Sequence, residues 1–338
     1  MRKKNKAITI QEVAARANVS VATVSRVLNN NALVKAHLKR DVDKAIKDLG
    51  YEYKPSSIGS RKGREPYRIA IILPNIANPF HALLLKGISN SALVTGADIL
   101  IYNSDENLQT EKQFFSRIAH GNVQGVIYIP FAPEIDPLVL DLIEKEFPLV
   151  FLDRALDRED ICLVSSDNVE GAYQATTYLL NLGHRDIVFI CGPAHFSTTS
   201  TRFEGFAKGL AEHDLKVRKE LVLHGDTTFE GAFKETQDFL SRKVPFSAIF
   251  ASNDLMALGA WRAVEEAGLR VPEDVSIIGY DEVPLSSYMS LTTIAQPSFE
   301  VGRNSIMLLI DLIEHRRAPP QRILLRDSLI IRKSCRKI

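Results

Sequence analysis

Cysteine is scarce in this 338-residue chain: Cys162, Cys191 and Cys335 are odd in number, widely spaced and form no Cys-x-x-Cys pair. Neither a paired-thiolate zinc site nor a dithiol redox couple is available, and the three read as reduced thiols of a cytosolic protein. No stretch reaches the roughly 18 uncharged apolar residues that a bilayer crossing requires. The segment from Ala7 to Val19 is interrupted by Gln11, Glu12, Arg16 and Asn18, so no signal-peptide core follows the basic first residues. Neither secretion nor a membrane partner is expected, which places the chain in the cytoplasm. Also missing are the glycine patterns that cradle phosphates and dinucleotides, a Gly-x-Ser-x-Gly elbow and a His-Glu-x-x-His pair. Those patterns seat phosphates, a nucleophilic serine or zinc, and without them no enzyme, cofactor or metal site is expected. Internal repeats and low-complexity tracts are absent as well.

What is present is ordinary in bulk and uneven in layout. Hydrophobic residues make up 45% and charged residues 25% of the chain, enough apolar surface to build proper cores. The net charge of +1 hides an asymmetry: residues 1–64 hold 15 Lys and Arg against 5 Asp and Glu, and the remainder holds 27 against 36. A small basic head on an acidic body is the layout expected if the head alone meets a polyanion. A solvated basic tail would carry the same charge, so pattern has to decide.

The pattern in the head is helical. Ile10, Val13, Ala14 and Ala17 fall at helical spacing, and Thr9 with Glu12 forms a capping box in which each side chain satisfies a free backbone N–H. Ser20 suits the N-cap of a second helix running to about Leu28, with Val24 and Leu28 inward. Leu38, Val42, Ala45, Ile46 and Leu49 mark a third, ended by Gly50. On the second helix Ala22, Ser25, Arg26 and Asn29 stay clear of the apolar side. Small residues allow close approach to a groove, hydroxyls and the helix N-terminus suit phosphate oxygens, and Arg26 can reach a base edge or a phosphate. A three-helix core that merely packs is the alternative. Lys54 to Pro66 is rich in Pro, Gly, Ser and charge, as a linker is. The expected domains are therefore a headpiece at 1–53, a linker at 54–66 and a larger domain at 67–338.

Beyond Tyr67, short apolar runs alternate with helical segments. The runs include Arg68–Leu73, Ile99–Tyr102, Val126–Ile129, Leu149–Leu152, Ile187–Cys191, Ala248–Ala251 and Val275–Gly279. Between them lie helix-like stretches such as Ala82–Val94, Thr110–Ala119, Val169–Leu182, Arg202–His213 and Leu255–Ala267. Such alternation predicts parallel sheets wrapped by helices, and there are too many strands for one sheet of ordinary width. Two α/β lobes follow. Ligands of such folds sit beyond the carboxyl ends of strands, which directs attention to Asn78, Asp153, Asn253 and Asp281.

Several motifs now fall in one order. Ile10-Gln11-Glu12-Val13-Ala14, Val19 to Asn29 (Val-Ser-Val-Ala-Thr-Val-Ser-Arg-Val-Leu-Asn) and Leu49-Gly50-Tyr51 come first. Asp167-Asn168, Leu182-Gly183-His184-Arg185, Arg202-x-x-Gly205-Phe206, Asn253-Asp254-x-Met256-Ala257-Leu258-Gly259 and Gly279-Tyr280-Asp281 follow. Together they resemble the lactose-repressor/galactose-repressor (LacI/GalR) family along nearly the whole chain. The resemblance implies a small all-α helix-turn-helix headpiece followed by a two-lobed α/β, periplasmic-binding-protein-like sensor with parallel sheets. It also implies a repressor that binds double-stranded operator DNA as a homodimer and answers to a small effector, a monosaccharide being expected. Thr9, Ser20, Val21, Ala22, Thr23, Ser25, Arg26 and Asn29 would face the DNA. The linker departs from the family's Ala-Arg-x-Leu: it reads Ser57-Ile58-Gly59-Ser60-Arg61, where Gly59 costs a helix about 1 kcal/mol relative to Ala and Ile58 is the one evident minor-groove wedge. The chain has no leucine heptad tail, so a dimer is expected over a tetramer.

A sugar site needs fixed carboxylates, amides and guanidinium groups at the rim and aromatic faces above and below. The resemblance assigns that role to Asn78, Phe80, Asp153, Arg154, Phe196, Arg202, Asn253, Asp281 and Gln296, the pattern shared with periplasmic ribose-binding proteins. Phe196 stands where purine-responsive relatives carry an arginine. Thr227 stands where many relatives place an aromatic, and Phe229 is a candidate for the missing face. Plainer roles stand beside these: Asn253 and Asp167 as helix caps, Arg154 paired with Asp153 or Asp157, His184 as a turn residue. A transport binding protein with the same sensor fold would have no use for the basic head.

Overall fold

The computed structural model describes residues 36–49 and 66–338 apart from 122, 132–134 and 155–157, together with Val13, Ala14, Arg16, Ala17, Val19, Val24 and Val27 of the head. The chain divides into two compact units, residues 1–62 and 63–338.

In the first unit the helix α1 (Ala36–Leu49) matches the expected third helix. Val42 and Ala45 are buried in a cluster with Val13, Ala14, Val24 and Val27, and Ile46 and Leu49 pack on its rim. The spacing of three and four residues puts these groups on one stripe of the helix, which is what lets so short a segment hold a core. Arg16 closes the outside with an ion pair to Asp48 at 3.1 Å.

The second unit holds two six-stranded sheets. The first lobe contains β1 (Tyr67–Leu73), α2 (Pro79–Thr95), β2 (Ala97–Asn103), α3 (Leu108–Ala119), β3 (Gly125–Tyr128), α4 (Pro137–Glu144), β4 (Leu149–Leu152) and β5 (Cys162–Ser166). The chain then enters the second lobe with α5 (Asn168–Asn181), β6 (Ile187–Cys191), α6 (Ser197–Ala211), β7 (Val222–His224), α7 (Phe229–Ser241), β8 (Ala248–Ala251), α8 (Asp254–Glu266), β9 (Ser276–Asp281), α9 (Pro284–Tyr288) and β10 (Thr292–Ala295). It returns to the first lobe for α10 (Ser298–Ile313) and β11 (Arg322–Leu325), and finishes in the second with β12 (Ser328–Ile330). Strand order is β11-β5-β4-β3-β1-β2 in the first sheet and β12-β10-β9-β8-β6-β7 in the second. Every pairing is parallel except β10 with β12.

Both sheets are covered on two faces, and period-two alternation divides each strand between two cores. Ile69, Ile71 and Leu73 of β1 join one cluster with α2 and α10, while Ala70 and Ile72 join the other with Phe115 and Phe151. In β6, Val188 and Ile190 face α7 and α8, whereas Phe189 stacks on Phe206 at a centroid distance of 4.7 Å. Helix α10, absent from the segments picked out by sequence, seals the first lobe against α2. The two helices touch through glycines: a Cβ on Gly87 would lie 2.1 Å from the Phe299 carbonyl oxygen, and one on Gly302 would lie 2.1 Å from that of Leu84.

Three chain segments connect the lobes, at Asp167, at Gln296 and between Leu325 and Ser328, and they are bonded to one another. The Asp167 N–H donates to the Leu325 carbonyl at 2.8 Å, and Ser166 Oγ donates to Gln296 Oε1 at 2.7 Å. No helix among the described residues is long and apolar enough to cross a membrane.

Candidate functional site

A cleft opens at the carboxyl ends of the strands, with walls from both lobes, the place where ligands of such folds sit. From the first lobe come Asn78, Phe80 and His81 at the start of α2 and Asp153-Arg154 after β4; from the second come Phe196, Thr198, Thr199, Arg202, Thr227, Ser252, Asn253 and Asp281. Of the nine residues assigned from sequence, eight line this cleft. Gln296 stands behind it, donating through Nε2 to Asp281 Oδ1 at 2.7 Å.

Local physics explains how these side chains reach the cleft. Asn78 caps α2, accepting from the Phe80 N–H at 3.0 Å. Asn253 caps α8, accepting from the Met256 N–H at 2.7 Å, and its Nδ2 donates to the Thr227 carbonyl at 3.0 Å. Capping and lining the cleft are one role here, because the cap sits where a strand hands over to a helix. Three lining residues hold left-handed backbone: Asp153 at φ 66°, Thr227 at φ 74° and Asp281 at φ 110°. Side chains adopt such angles only at a cost of about 1–3 kcal/mol each, and clusters of them mark functional sites.

Arg202 is the hub. Its Nε donates to Asn168 Oδ1 at 2.7 Å and its Nη1 to the Ser252 carbonyl. Its Nη2 lies 3.4 Å from Asp281 Oδ1, and its guanidinium sits 3.9 Å from the centre of the Tyr280 ring. Burial works against its charge, yet Asp281, Tyr280, Asp153 and Asp327 raise its pKa overall. Burial pushes the Asp281 carboxyl up to about 8, against the pull of Arg202. Across the cleft Arg154 stacks on Phe196 at 3.5 Å, and its Nη1 donates to the Pro130 carbonyl at 3.0 Å. Its Nε is 3.9 Å from Asp153 Oδ2. Arg154 Nε and Asp153 Oδ1 are buried without a hydrogen-bond partner among the described residues. Burial lowers the pKa of Arg154 and raises that of Asp153. The lining mixes hydrogen-bond donors with acceptors, which a polar ligand can pair with and an apolar one cannot.

Other assignments resolve into structural roles. Phe229 packs in the second-lobe core, stacks on Phe233 at 6.4 Å and is not among the residues that line the cleft, so it does not supply the face expected of it. Asp254 is fully buried and accepts from the Val283 N–H at 2.9 Å and from Ser286 Oγ and Thr293 Oγ1 at 2.6 Å each, tying α8 to α9 and β10. Asp167 caps α5 through the Glu170 N–H at 3.1 Å. His184 is buried between Ser247 Oγ and the Arg336 carbonyl. Sequence reading missed His81, Thr198, Thr199 and Ser252. Thr198 lies one helical turn before Arg202 and His81 three residues after the Asn78 cap, spacings that would have put both on the cleft side. The expected DNA-facing set, Thr9, Ser20, Val21, Ala22, Thr23, Ser25, Arg26 and Asn29, and the wedge candidate Ile58 lie outside the described residues.

The comparisons with known proteins agree with this architecture. Residues 9–55 match the family of bacterial regulatory proteins, lacI family, and residues 176–335 match a periplasmic binding protein-like domain. The HTH-type transcriptional repressor PurR of Yersinia pestis is 35% identical over 332 residues, 96% of each chain. Among solved structures, the complex of the transcriptional regulator CelR with cellobiose aligns over 97% of this chain and 99% of its own, at 29% identity and a TM-score of 0.74. The lac repressor dimer bound to operator and the anti-inducer ONPF aligns over 97% and 99%, at 27% identity and a TM-score of 0.72. A LacI family regulator from Enterococcus faecium with bound ribose aligns over 80% and 99%, at 29% identity and a TM-score of 0.71. With relatives this similar over nearly its full length, the chain belongs to the LacI family of DNA-binding transcriptional regulators, its helix-turn-helix headpiece followed by a two-lobed, periplasmic-binding-protein-like effector domain.

Proposed function

We propose that this protein is a sugar-responsive repressor: a homodimer that holds double-stranded operator DNA through residues 1–53 and releases it when a monosaccharide fills the cleft. It acts as a cytoplasmic binding protein, not as an enzyme. The observation that carries the sugar reading is the buried rim itself, where Asp153, Arg154, Arg202, Asn253 and Asp281 alternate donors with acceptors and Phe80 and Phe196 supply apolar faces. Hydroxyl rings present that mixture of edges and faces. Phe196 removes the arginine that the family resemblance attributes to purine-responsive members. Neighbours in this fold are described with cellobiose and with ribose in place, which supports the same class of ligand here.

On the DNA side the basic head supplies the electrostatics and Ser25, Arg26 and Asn29 the groove contacts, with Thr9, Ser20, Val21, Ala22 and Thr23 around them. The segment 54–66 joins the head to the sensor, 67–338, and Ile58 enters the minor groove. The test is a thermal-shift screen of the full chain against monosaccharides, sugar phosphates and nucleobases, followed by operator titration with whatever binds. A ligand specific to the folded state raises Tm. A monosaccharide should do so and weaken operator binding; stabilisation by a nucleobase alone would refute the sugar reading.

A further inference from the structure

His81 was not among the residues expected at the site, yet it lines the cleft beside Phe80 and is only 2% exposed. Its Nδ1 lies 2.6 Å from the carbonyl oxygen of Asn75. A carbonyl can only accept, so Nδ1 must carry the proton, and a neutral imidazole protonated at Nδ1 has a bare lone pair at Nε2. Burial, with the positive charge of Arg154 behind it, holds the ring pKa at about 4, so the second nitrogen stays unprotonated at neutral pH. No other hydrogen bond to the ring is formed among the described residues.

We infer that His81 is a specificity-determining residue of the effector site, its Nε2 accepting a hydrogen bond from a neutral hydroxyl of the bound sugar. The inference rests on the reading of the cleft as a sugar site and adds the character of one end of the ligand. An acceptor locked by its tautomer repels the lone pairs of a carboxylate or phosphate oxygen. The group lodged against the first turn of α2 is therefore a hydroxyl and not the acidic end of a sugar acid or sugar phosphate. Arg154, a donor at each of its nitrogens, lines the same wall, so this wall offers a donor and an acceptor to neighbouring hydroxyls.

The test uses the full chain and begins with calorimetric titration of D-ribose, D-xylose, D-glucose and D-galactose. Long-range proton–nitrogen spectra of histidine-labelled wild type, with and without the tightest of these sugars, then report the tautomer. Nε2 should be unprotonated in the free protein and shift as a new hydrogen bond forms. The monodeoxy forms of that sugar are next compared on wild type and on His81→Phe, which keeps a flat ring and removes the acceptor. One deoxy form should bind wild type about tenfold more weakly than the parent sugar, and His81→Phe should bind the two alike. Equal deoxy ratios in both proteins, or a protonated Nε2, would overturn the inference while leaving the sugar site standing. Binding of none of the four sugars would overturn the sugar reading and this inference with it. The spectra of wild type decide the tautomer even where His81→Phe does not fold.

Discussion

Truncating Arg202 should destabilise the sensor as well as weaken its hold on the ligand. The residue is 6% exposed and holds four partners from three segments: Asn168 on α5, the Ser252 carbonyl after β8, and Asp281 with the face of Tyr280 at the end of β9. Arg202→Ala leaves the Ser252 carbonyl and Asn168 Oδ1 without this donor and Asp281 without its buried counter-ion, with only Gln296 still donating to it. Removing one member of a buried pair costs about 3–5 kcal/mol, and for a domain of this size that lowers Tm by on the order of 10 °C. Asp281→Asn is different. Burial already pushes that carboxyl up to about 8, so a neutral amide of the same shape is far less disruptive, and Tm should stay within about 3 °C. Its effect should appear in sugar affinity, at up to roughly a tenfold loss for one hydrogen bond. Differential scanning fluorimetry of both variants, with operator binding measured in parallel, makes the comparison. An Arg202→Ala protein that melts with wild type would refute the assignment of Arg202 as a structural hub.

Three further outcomes are expected. Gly302→Ala should destabilise the first lobe by about 1–3 kcal/mol, because its Cβ would meet the Leu84 carbonyl at 2.1 Å and α10 must shift off α2; urea unfolding measures it, and an unchanged midpoint would contradict the close approach. A chain that starts at Tyr67 should lose operator binding while the intact protein's affinity falls steeply between low and moderate salt, since the basic excess is confined to residues 1–64; salt-insensitive binding by the shortened chain would contradict it. Burial pushes the Asp327 carboxyl up to about 7, so its contribution is most favourable below its unfolded pKa of about 4 and is lost as pH rises through 7; the stability of wild type relative to Asp327→Asn should therefore be smaller at pH 8 than at pH 5, and an equal difference at both would remove Asp327 from the pH response.

Much of this was legible in the chain because period and punctuation agree. Strands such as Ile187–Cys191 and Leu149–Leu152 are continuous β-rich runs with turn signals on both sides, and both were read to the residue. Helix α6 was expected from Arg202 but begins at Ser197. Its first turns, Ser-Thr-Thr-Ser-Thr, carry little helical signature because hydroxyls compete for backbone groups; here Thr201 Oγ1 donates to the Ser197 carbonyl at 2.9 Å within the helix instead. Helix α10 escaped because it follows Gln296-Pro297 and is amphipathic over two different partners, α2 and the sheet. Gln296 was assigned to the ligand on resemblance alone, and spacing cannot separate a side chain that reaches the cleft from one that braces a neighbour. His81 was invisible for the converse reason: a histidine on an apolar helix start has no signature until the Asn75 carbonyl fixes its tautomer.

The same braces connect the cleft to the three crossings. Arg202 bonds Asn168, the first residue of α5 after the Asp167 crossing. Asp281 is bonded by Gln296 of the second crossing, which in turn accepts from Ser166 beside the first. Tyr280, under the Arg202 guanidinium, donates to Asp327 in the third crossing. A ligand that draws Arg202 or Asp281 toward itself therefore pulls on all three connections, the crossings between the lobes among the described residues. Small displacements in a close-packed interior are transmitted and not absorbed. On the proposed function, the charged groups of the cleft would then have two roles at once, gripping the effector and setting the lobe angle. Asp327, 6% exposed and outside the cleft lining, is where the two separate. Asp327→Asn should leave sugar affinity within about twofold while changing how far the sugar weakens operator binding, as a shift in the balance between two lobe arrangements requires. Calorimetry for the sugar and an operator titration at saturating sugar read the two quantities independently, and a variant altered in neither would show that the third crossing follows the lobes passively.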